Sequence, residues 1–422
     1  MAYSNPSHID VCMLVRNFYE HDGRVEKEAE YLASHGLRVL VIAQWRAGLP
    51  ANERIRNHQV VRLPLHRLGN PNQTWLATRI LDGIDGLMTA SQQWMPGMSR
   101  LQRTVHTLNY QVGAVSAVAR AQPDTIHSHD LDTLLPGVIA AIFAHASLVY
   151  DSHELWVERH INLGWLSSWI HRAKYSLLEW ALIGHADTVF TVCDSIADEL
   201  AARYGITRPT VLRNVPTFTT GKTRDLHSEL GIDGPILLYI GTLAPHRGLD
   251  RAVQALRYLP ERVQLVLVGP KHGTTADDVA ALARALEVDQ RVTILDPVAP
   301  GDIIALAGGA DIGLCTHQPV CRSYEYVLPN KLFEYGFAGL PVVASNLPEV
   351  RRIVRRHHLG ALCDPNSPKD IARAVNSILE GNTRMANPNE RQQFIDEFDW
   401  RHEREKMRVA YPMIDLRTCE ST

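Results

Sequence analysis

Residues 235–250 read PILLYIGTLAPHRGLD. A short, nearly continuous apolar run ends at Gly241. A polar turn follows, and an Arg247-Gly248 pair leads into a helical pattern. An apolar run of this length without alternation is the mark of a strand buried on both faces of a parallel sheet. A parallel neighbour then needs a crossover, and the helical pattern over 249–258 supplies it. The stretch therefore predicts a βαβ unit, with Arg247 in the loop at the carboxyl end of its first strand.

The same rhythm runs through the chain. Strands are expected over 9–15, 38–43, 60–63, 125–128, 147–151, 187–192 and 210–212. A second series follows over 235–240, 263–268, 291–295, 310–315, 341–344 and 359–362. Helices are expected over 24–35, 131–145, 249–258 and 367–380. Between the series, RNVPTFTTGKTRDLHS (213–228) is polar and aperiodic, as a linker would be. The expected fold is α/β, with two tandem Rossmann-like, doubly wound domains over 1–216 and 217–398. An amphipathic tail, about 399–422, would pack back on the first domain. Ligands of such sheets bind beyond the carboxyl ends of the strands, so two of them face each other across a cleft. Segment 73–120, with Trp75 and Trp94, is most simply two helices covering the first sheet. Peripheral membrane contact through it is the alternative.

Composition narrows the function. The 422 residues carry a formal net charge of −3, which gives no bulk attraction for nucleic acid. Six cysteines are scattered without a CxxC pair, so neither a disulfide framework nor a zinc site is expected, and a reducing cytoplasm fits. The opening MAYSNPSHIDVCMLV lacks a basic stretch followed by a long apolar one, so no signal peptide is expected. The apolar run near 134–144 holds Pro136 and Gly137 and is too short to span a bilayer.

The stretch 328–342, LPNKLFEYGFAGLPV, points to chemistry. Pro329 suits the first helical position, and the free N–H groups of that turn, around Asn330 and Leu332, form an anion site. Lys331 adds positive charge, and Glu334 lies one turn on along the same face. A carboxylate repels phosphate but accepts hydrogen bonds from the two hydroxyls of a ribose. Together these suggest a nucleoside diphosphate. The plain alternative is a surface i,i+3 salt bridge. Arg247 is placed to grip a diphosphate in two-pronged fashion, the alternative being a solvated loop arginine. In LVLVGPKHG (265–273) a strand ends at Gly269, where backbone can approach a ligand closely.

With these motifs in this order, the chain resembles the retaining GT-B glycosyltransferases of family 4. The resemblance rests on YIGTLAPHRGLDRAVQAL, LVLVGP, VTILDPVAPGDIIALAGGADIGL, PNKLFEYGFAGLPVVAS and GALCDPNSPKDIARAV. It implies that Glu334 binds the donor ribose, Arg247 the donor diphosphate, and backbone near Val298 the base. Two departures stand out. Gly241-Thr242 occupies a place where relatives often have Gly-Arg, and Lys331 is the candidate replacement for that cation. An acid expected eight positions before Glu334 is Tyr326, with Glu325 next to it as the candidate stand-in for sugar contact.

The N-terminal half resembles the family as well. The loop Glu20-His21-Asp22-Gly23-Arg24 stands where relatives place a glycine-rich loop near donor phosphates and sugar. Gly23 would allow close approach and Arg24 would add charge, unless Arg24 merely packs its helix against Asp22. HSHDLDTLLPG (127–137) brings His129 and Asp130 to a strand end. Asp130 and Asp132 form a D-x-D, but Asp130 is expected to cap the next helix and no metal is expected. YDSHELWVE (150–158) ends a strand in Asp151, His153 and Glu154, and His153 matches a sugar-contacting histidine of the family.

The activity implied is transfer of a hexosyl group from a UDP- or GDP-sugar to a hydroxyl acceptor with retention. Arg247, Lys331 and His153 would be its principal residues, and the sugar nucleotide would be a co-substrate, with no further cofactor. The acceptor is a glycan, a lipid-linked glycan or a small molecule. Alternatives are a silent nucleotide- or glycan-binding relative acting as a partner subunit, and a nucleotide-sugar epimerase.

Overall fold

The computed structural model describes residues 8–20, 22–63, 98–159 and 165–415, without the side chains of 98–106 and 165–167. Much of segment 73–120 and the last residues of the tail lie outside the described residues. The described part of that segment forms one helix, Met98–Ala121.

The first sheet has eight strands: β1 (Val11–Leu14), β2 (Val39–Gln44), β3 (Asn52–Ile55), β4 (His58–Leu63), β5 (Thr125–His129), β6 (Ser147–Ser152), β7 (Thr188–Thr191) and β8 (Thr210–Val211). Their spatial order is β3-β4-β2-β1-β5-β6-β7-β8. Every pairing is parallel except the β3–β4 hairpin. Every residue of β1 and β5 is buried, as their unbroken runs require. β3 is absent from the expected strands. Three of its four residues, NERI, are polar and two are exposed on a sheet edge, so no apolar run marks them.

The second sheet has six parallel strands: β9 (Ile236–Ile240), β10 (Gln264–Val268), β11 (Val292–Leu295), β12 (Ile312–Cys315), β13 (Val342–Ser345) and β14 (Gly360–Cys363). Their order is β11-β10-β9-β12-β13-β14, the doubly wound pattern that switches direction at β9 and β12.

The chain crosses between the sheets twice. The first crossing is the irregular stretch before the short helix Leu226–Leu230. The second is the tail, which is broken rather than one continuous helix. The helix Pro388–Phe398 stops at Asp399, whose extended backbone (ψ 134°) and carboxylate then cap a new turn at Arg401. The tail runs over the first domain. Trp400 N–H donates to Pro216 O at 3.1 Å, Lys406 Nζ to Val211 O at 3.2 Å, and the Tyr411 hydroxyl pairs with His127 Nδ1 at 2.7 Å. Among the described residues no helix is long and apolar enough to cross a membrane.

Candidate active site in the interdomain cleft

The carboxyl ends of both sheets meet. Ser323, in the short helix after β12, lies 3.4 Å from Glu154, in the loop after β6. The Cys193 thiol, after β7, donates to Tyr326 O at 3.4 Å.

On the second-domain wall, Gly241 ends β9 at φ +131° and Gly269 ends β10 at φ +149°. Both are backbone geometries that L side chains avoid. A Cβ on Gly269 would collide with the Gly241 carbonyl, so the two loops can lie this close only as glycines. A Cβ on Gly241 would stand 3.3 Å from Lys331 Nζ. Lys331 therefore reaches from the helix Asn330–Ala338 to the end of β9. Its ammonium sits 3.3 Å above the centre of the Tyr239 ring, a cation–π contact. Thr242, in the place of the arginine common in the family, is exposed, and its carbonyl accepts from the Tyr239 hydroxyl at 2.9 Å.

Three details differ from expectation. Lys331 is buried rather than freely charged, and burial lowers its pKa to about 7. Pro329 is the cap in extended backbone, and the helix begins at Asn330. The Leu332 N–H is spent on Pro329 O at 3.1 Å, so the amides left to face an anion are those of Asn330 and Lys331. Glu334 is not ion-paired to Lys331. Burial raises its pKa to about 7, with Lys331 and Lys27 partly opposing.

Arg247 is half-buried, its guanidinium 5.6 Å from the Tyr324 ring. Gly248 behind it adopts φ +76°, and a Cβ there would strike Thr316. His246, just before, is a non-glycine residue at φ +64°. Arg247 and Lys331 both press on His317, whose pKa is held well below the usual range by burial first and by these charges next. Among the described residues neither cation is paired with a carboxylate. Val298 is half-buried in the turn after β11. Glu325 is exposed at the end of the short helix Arg322–Glu325, and Tyr326 packs beside Leu155 and Cys193.

The first-domain wall is built in the opposite way. Arg24 is 3% exposed and grips Asp151 through two bonds of 2.7 Å, from Nε to Oδ2 and from Nη2 to Oδ1. It also lies 3.1 Å from Glu28 and donates to Leu212 O at 2.8 Å. It is thus a buried tie within the domain, not a charge offered to a donor, and its partner is Asp151 rather than Asp22. Asp22 instead caps the helix Gly23–Ser34 and accepts from Asn17. Gly23 faces open space, and a Cβ added there would meet no atom within 4 Å.

His153 Nε2 stands 3.0 Å from Asp151 Oδ2 and 3.2 Å from His129 Nδ1, while its Nδ1 is 3.5 Å from Asp130. Burial opposes its charge, but Asp130 and Asp151 outweigh burial and lift its pKa to about 10. Asp130 does not cap the following helix through its side chain. Its carboxylate accepts from the His153 N–H at 3.0 Å, and its backbone holds φ +63°, ψ +164°, a strained conformation for a residue with a side chain. The cap is lost because that carboxylate is committed to His153. Asp132 pairs with Arg16 at 3.5 Å. The two acids of the D-x-D therefore serve different partners.

A buried group, Glu28, His127, His129 and Asp151, is close enough to be considered as metal ligands. Of this group Arg24 hydrogen-bonds Asp151 alone; both Glu28 oxygens, His127 Nε2 and His129 Nε2 are buried without a hydrogen-bond partner among the described residues, and burial raises the Glu28 pKa.

One residue escaped sequence reasoning. Lys27, one turn after Gly23, donates to Asn214 Oδ1 and Val215 O, and its charge acts on Glu334 across the cleft. Its only sequence signal is its spacing from the loop glycine.

Two family models match the chain: "Glycosyl transferase 4-like domain" over residues 23–216 and "Glycosyl transferases group 1" over residues 223–397. Glycogen synthase of Mycobacterium tuberculosis (strain H37Rv) is 28% identical over 295 residues, covering 66% of this chain and 66% of that protein. D-inositol 3-phosphate glycosyltransferase of Mycobacterium sp. (strain KMS) is 25% identical over 297 residues, 67% of this chain and 66% of its own. The matched region thus spans just under two thirds of each relative's length. Among solved structures, sucrose-phosphate synthase of Thermosynechococcus elongatus superposes with a TM-score of 0.74 at 17% identity, covering 97% of this chain and 100% of that one. Anabaena HepE in complex with UDP-glucose does so with a TM-score of 0.68 at 17% identity, covering 96% and 100%. Both share the GT-B fold.

Proposed function

The chain belongs to the group 1 glycosyl transferases, and from that premise we propose that it moves a hexosyl group from a nucleoside-diphosphate sugar to a hydroxyl acceptor, with retention of configuration. The observation that carries this reading is a pair of cations, Arg247 and Lys331, that rest on aromatic rings with no carboxylate partner among the described residues, beside a helix N-terminus and a half-buried carboxylate.

Departure of the diphosphate from the anomeric carbon is the hard step, because negative charge grows on the leaving oxygens. Cations and N–H groups already in place stabilise that charge without reorganisation. Arg247, Lys331 and the Asn330 and Lys331 amides take this role. Glu334 accepts from the ribose hydroxyls and fixes the donor. Gly241 and Gly269 let the backbone approach the nucleotide, with Val298 toward the base. His153, held as an imidazolium by Asp130 and Asp151, donates to a sugar hydroxyl. UDP is the first nucleotide to try, since HepE is solved with UDP-glucose. A reducing cytoplasm fits the five described cysteines, none of which is in a disulfide.

The test is calorimetry of the purified chain against UDP, GDP and their hexose conjugates, followed by donor turnover. Binding of one sugar nucleotide, and its release as free nucleotide, is expected. No uptake of any of them would overturn the reading.

A further inference from the structure

Beyond His153 and Glu154, a cavity of about 420 Å³ opens between the domains. Glu158, Arg159, Ser168 and Arg172 line it from the first domain, and Cys321 and Arg322 from the second. Three guanidinium groups thus face one carboxylate. Arg159 lies 4.1 Å from the Trp156 ring centre and 3.0 Å from Glu154. Arg172 is 3.5 Å from Glu158, which Arg203 also reaches at 3.0 Å. Arg322 pairs with Glu199 at 2.8 Å and donates to the Tyr326 hydroxyl at 3.0 Å. Counting Arg203, four arginines meet Glu154, Glu158 and Glu199, which leaves a positive excess.

These contacts do not saturate the arginines. A guanidinium has five N–H donors, and even Arg322, the most engaged of the lining arginines, uses at most three of them. The lining side chains are 41%, 58% and 49% exposed for Arg159, Arg172 and Arg322, so their remaining donors face the cavity's solvent. Burial also raises the pKa of Glu154, which weakens its claim on Arg159. The cavity adjoins the transfer site on both sides. Glu154 follows His153 and lies 3.4 Å from Ser323, and Tyr324, two residues past Arg322, lies under Arg247.

We propose that this cavity seats an oxyanion, a phosphate monoester or a carboxylate, carried by the acceptor, so that the acceptor is an anionic hydroxyl compound rather than a neutral sugar. The proposal rests on the transferase reading above and names the substrate class of that same cleft. Arg172 and Arg322 come from different domains, so one anion between them ties the domains together while its hydroxyl faces the anomeric carbon.

The experiment keeps the two readings apart. Nucleotide binding to the full chain is measured first, and its failure would count against the transferase reading alone. Inorganic phosphate, glucose, glucose 6-phosphate and glucuronate are then titrated calorimetrically, with and without saturating nucleotide. Phosphate and at least one charged sugar are expected to bind at least roughly tenfold more tightly than glucose, and the two charged sugars tell phosphate from carboxylate. Arg172→Ala and Arg322→Ala should each cost roughly tenfold in that affinity, and the lysine variants less, with melting temperature and UDP affinity unchanged. Equal binding of glucose and the charged probes would overturn the proposal. So would phosphate binding that survives both alanine variants, or that disappears only in Arg247→Ala.

Discussion

The two walls of the cleft use charge in opposite ways. On the first-domain wall, Arg24, Asp151, His153, Asp130 and His129 answer one another at 2.7–3.5 Å. On the second-domain wall, Arg247 and Lys331 have no carboxylate partner among the described residues, and Lys331 and Glu334 are both drawn to a pKa of about 7. The charges of the first wall are mostly paired within the domain and hold the fold in shape, while Glu28 and His129 keep buried polar atoms without a hydrogen-bond partner among the described residues. The second is electrostatically unfinished, and a bound dianion would finish it. Substitutions should therefore cost stability on one wall and binding on the other.

The largest expected effect is on the first wall. Arg24→Ala removes the guanidinium against which Asp151 and Glu28 are buried and leaves Asp151 to His153, and removing one partner of such a buried pair costs about 3–5 kcal/mol. Urea denaturation should show the midpoint falling with an unchanged slope. A loss under about 1 kcal/mol would mean that Arg24 is not the tie described.

Next comes the second wall. Arg247→Ala should change stability by no more than about 1 kcal/mol, because among the described residues its guanidinium has no carboxylate partner and meets only the Tyr324 ring. Its donor affinity should fall roughly ten- to a hundredfold, as expected for lost hydrogen bonds to a charged group. Glu334→Ala should weaken donor binding comparably. If these variants bind donor like the parent, or if Arg247→Ala unfolds the chain, the contrast between the walls fails.

The third effect is on pH. Diphosphate binding needs Lys331 protonated, a state lost as pH rises through about 7. Ribose binding needs Glu334 ionised, a state lost as pH falls through about 7. Donor affinity should peak near neutrality and fall on both sides, by up to roughly tenfold per pH unit on each limb. Lys331→Arg should flatten the alkaline limb and Glu334→Gln the acid limb. His153 adds no limb near 7, since its pKa is lifted to about 10. A flat profile between pH 6 and 8 would contradict the assignment.

These predictions divide along the line that separates legible from illegible sequence. The βαβ rhythm was readable because buried parallel strands are continuous apolar runs, and β3 was not because a polar edge hairpin has no such run. The pieces of the second wall can be grouped from sequence because they are local. Lys331 and Glu334 are one helical turn apart, and Arg247 follows its strand within a few residues. The first wall was misread because its bonds span the chain. Asp22 stands two residues from Arg24, whereas its true partner, Asp151, is 127 residues away. Asp130 likewise sits where a cap belongs, but its carboxylate is claimed by a residue 23 positions on. Local spacing predicts what a residue can offer, and tertiary packing decides whether the offer is already taken.

Gly23 gives the smallest and most discriminating effect, because it lies on the first wall yet has no fold partner. A Cβ there meets nothing within 4 Å, and its φ is not in the left-handed region. In the fold alone, Gly23→Ala should be neutral or stabilise by up to about 1 kcal/mol, since it restricts the unfolded chain. If backbone at Gly23 approaches the donor, the same methyl group should weaken donor binding by several-fold while the melting temperature holds or rises. A more stable variant that binds donor less well would assign this open position on the first wall to the ligand. A variant improved in stability and unchanged in donor affinity would leave His153 as the first wall's contact with the donor and sharpen the asymmetry between the walls.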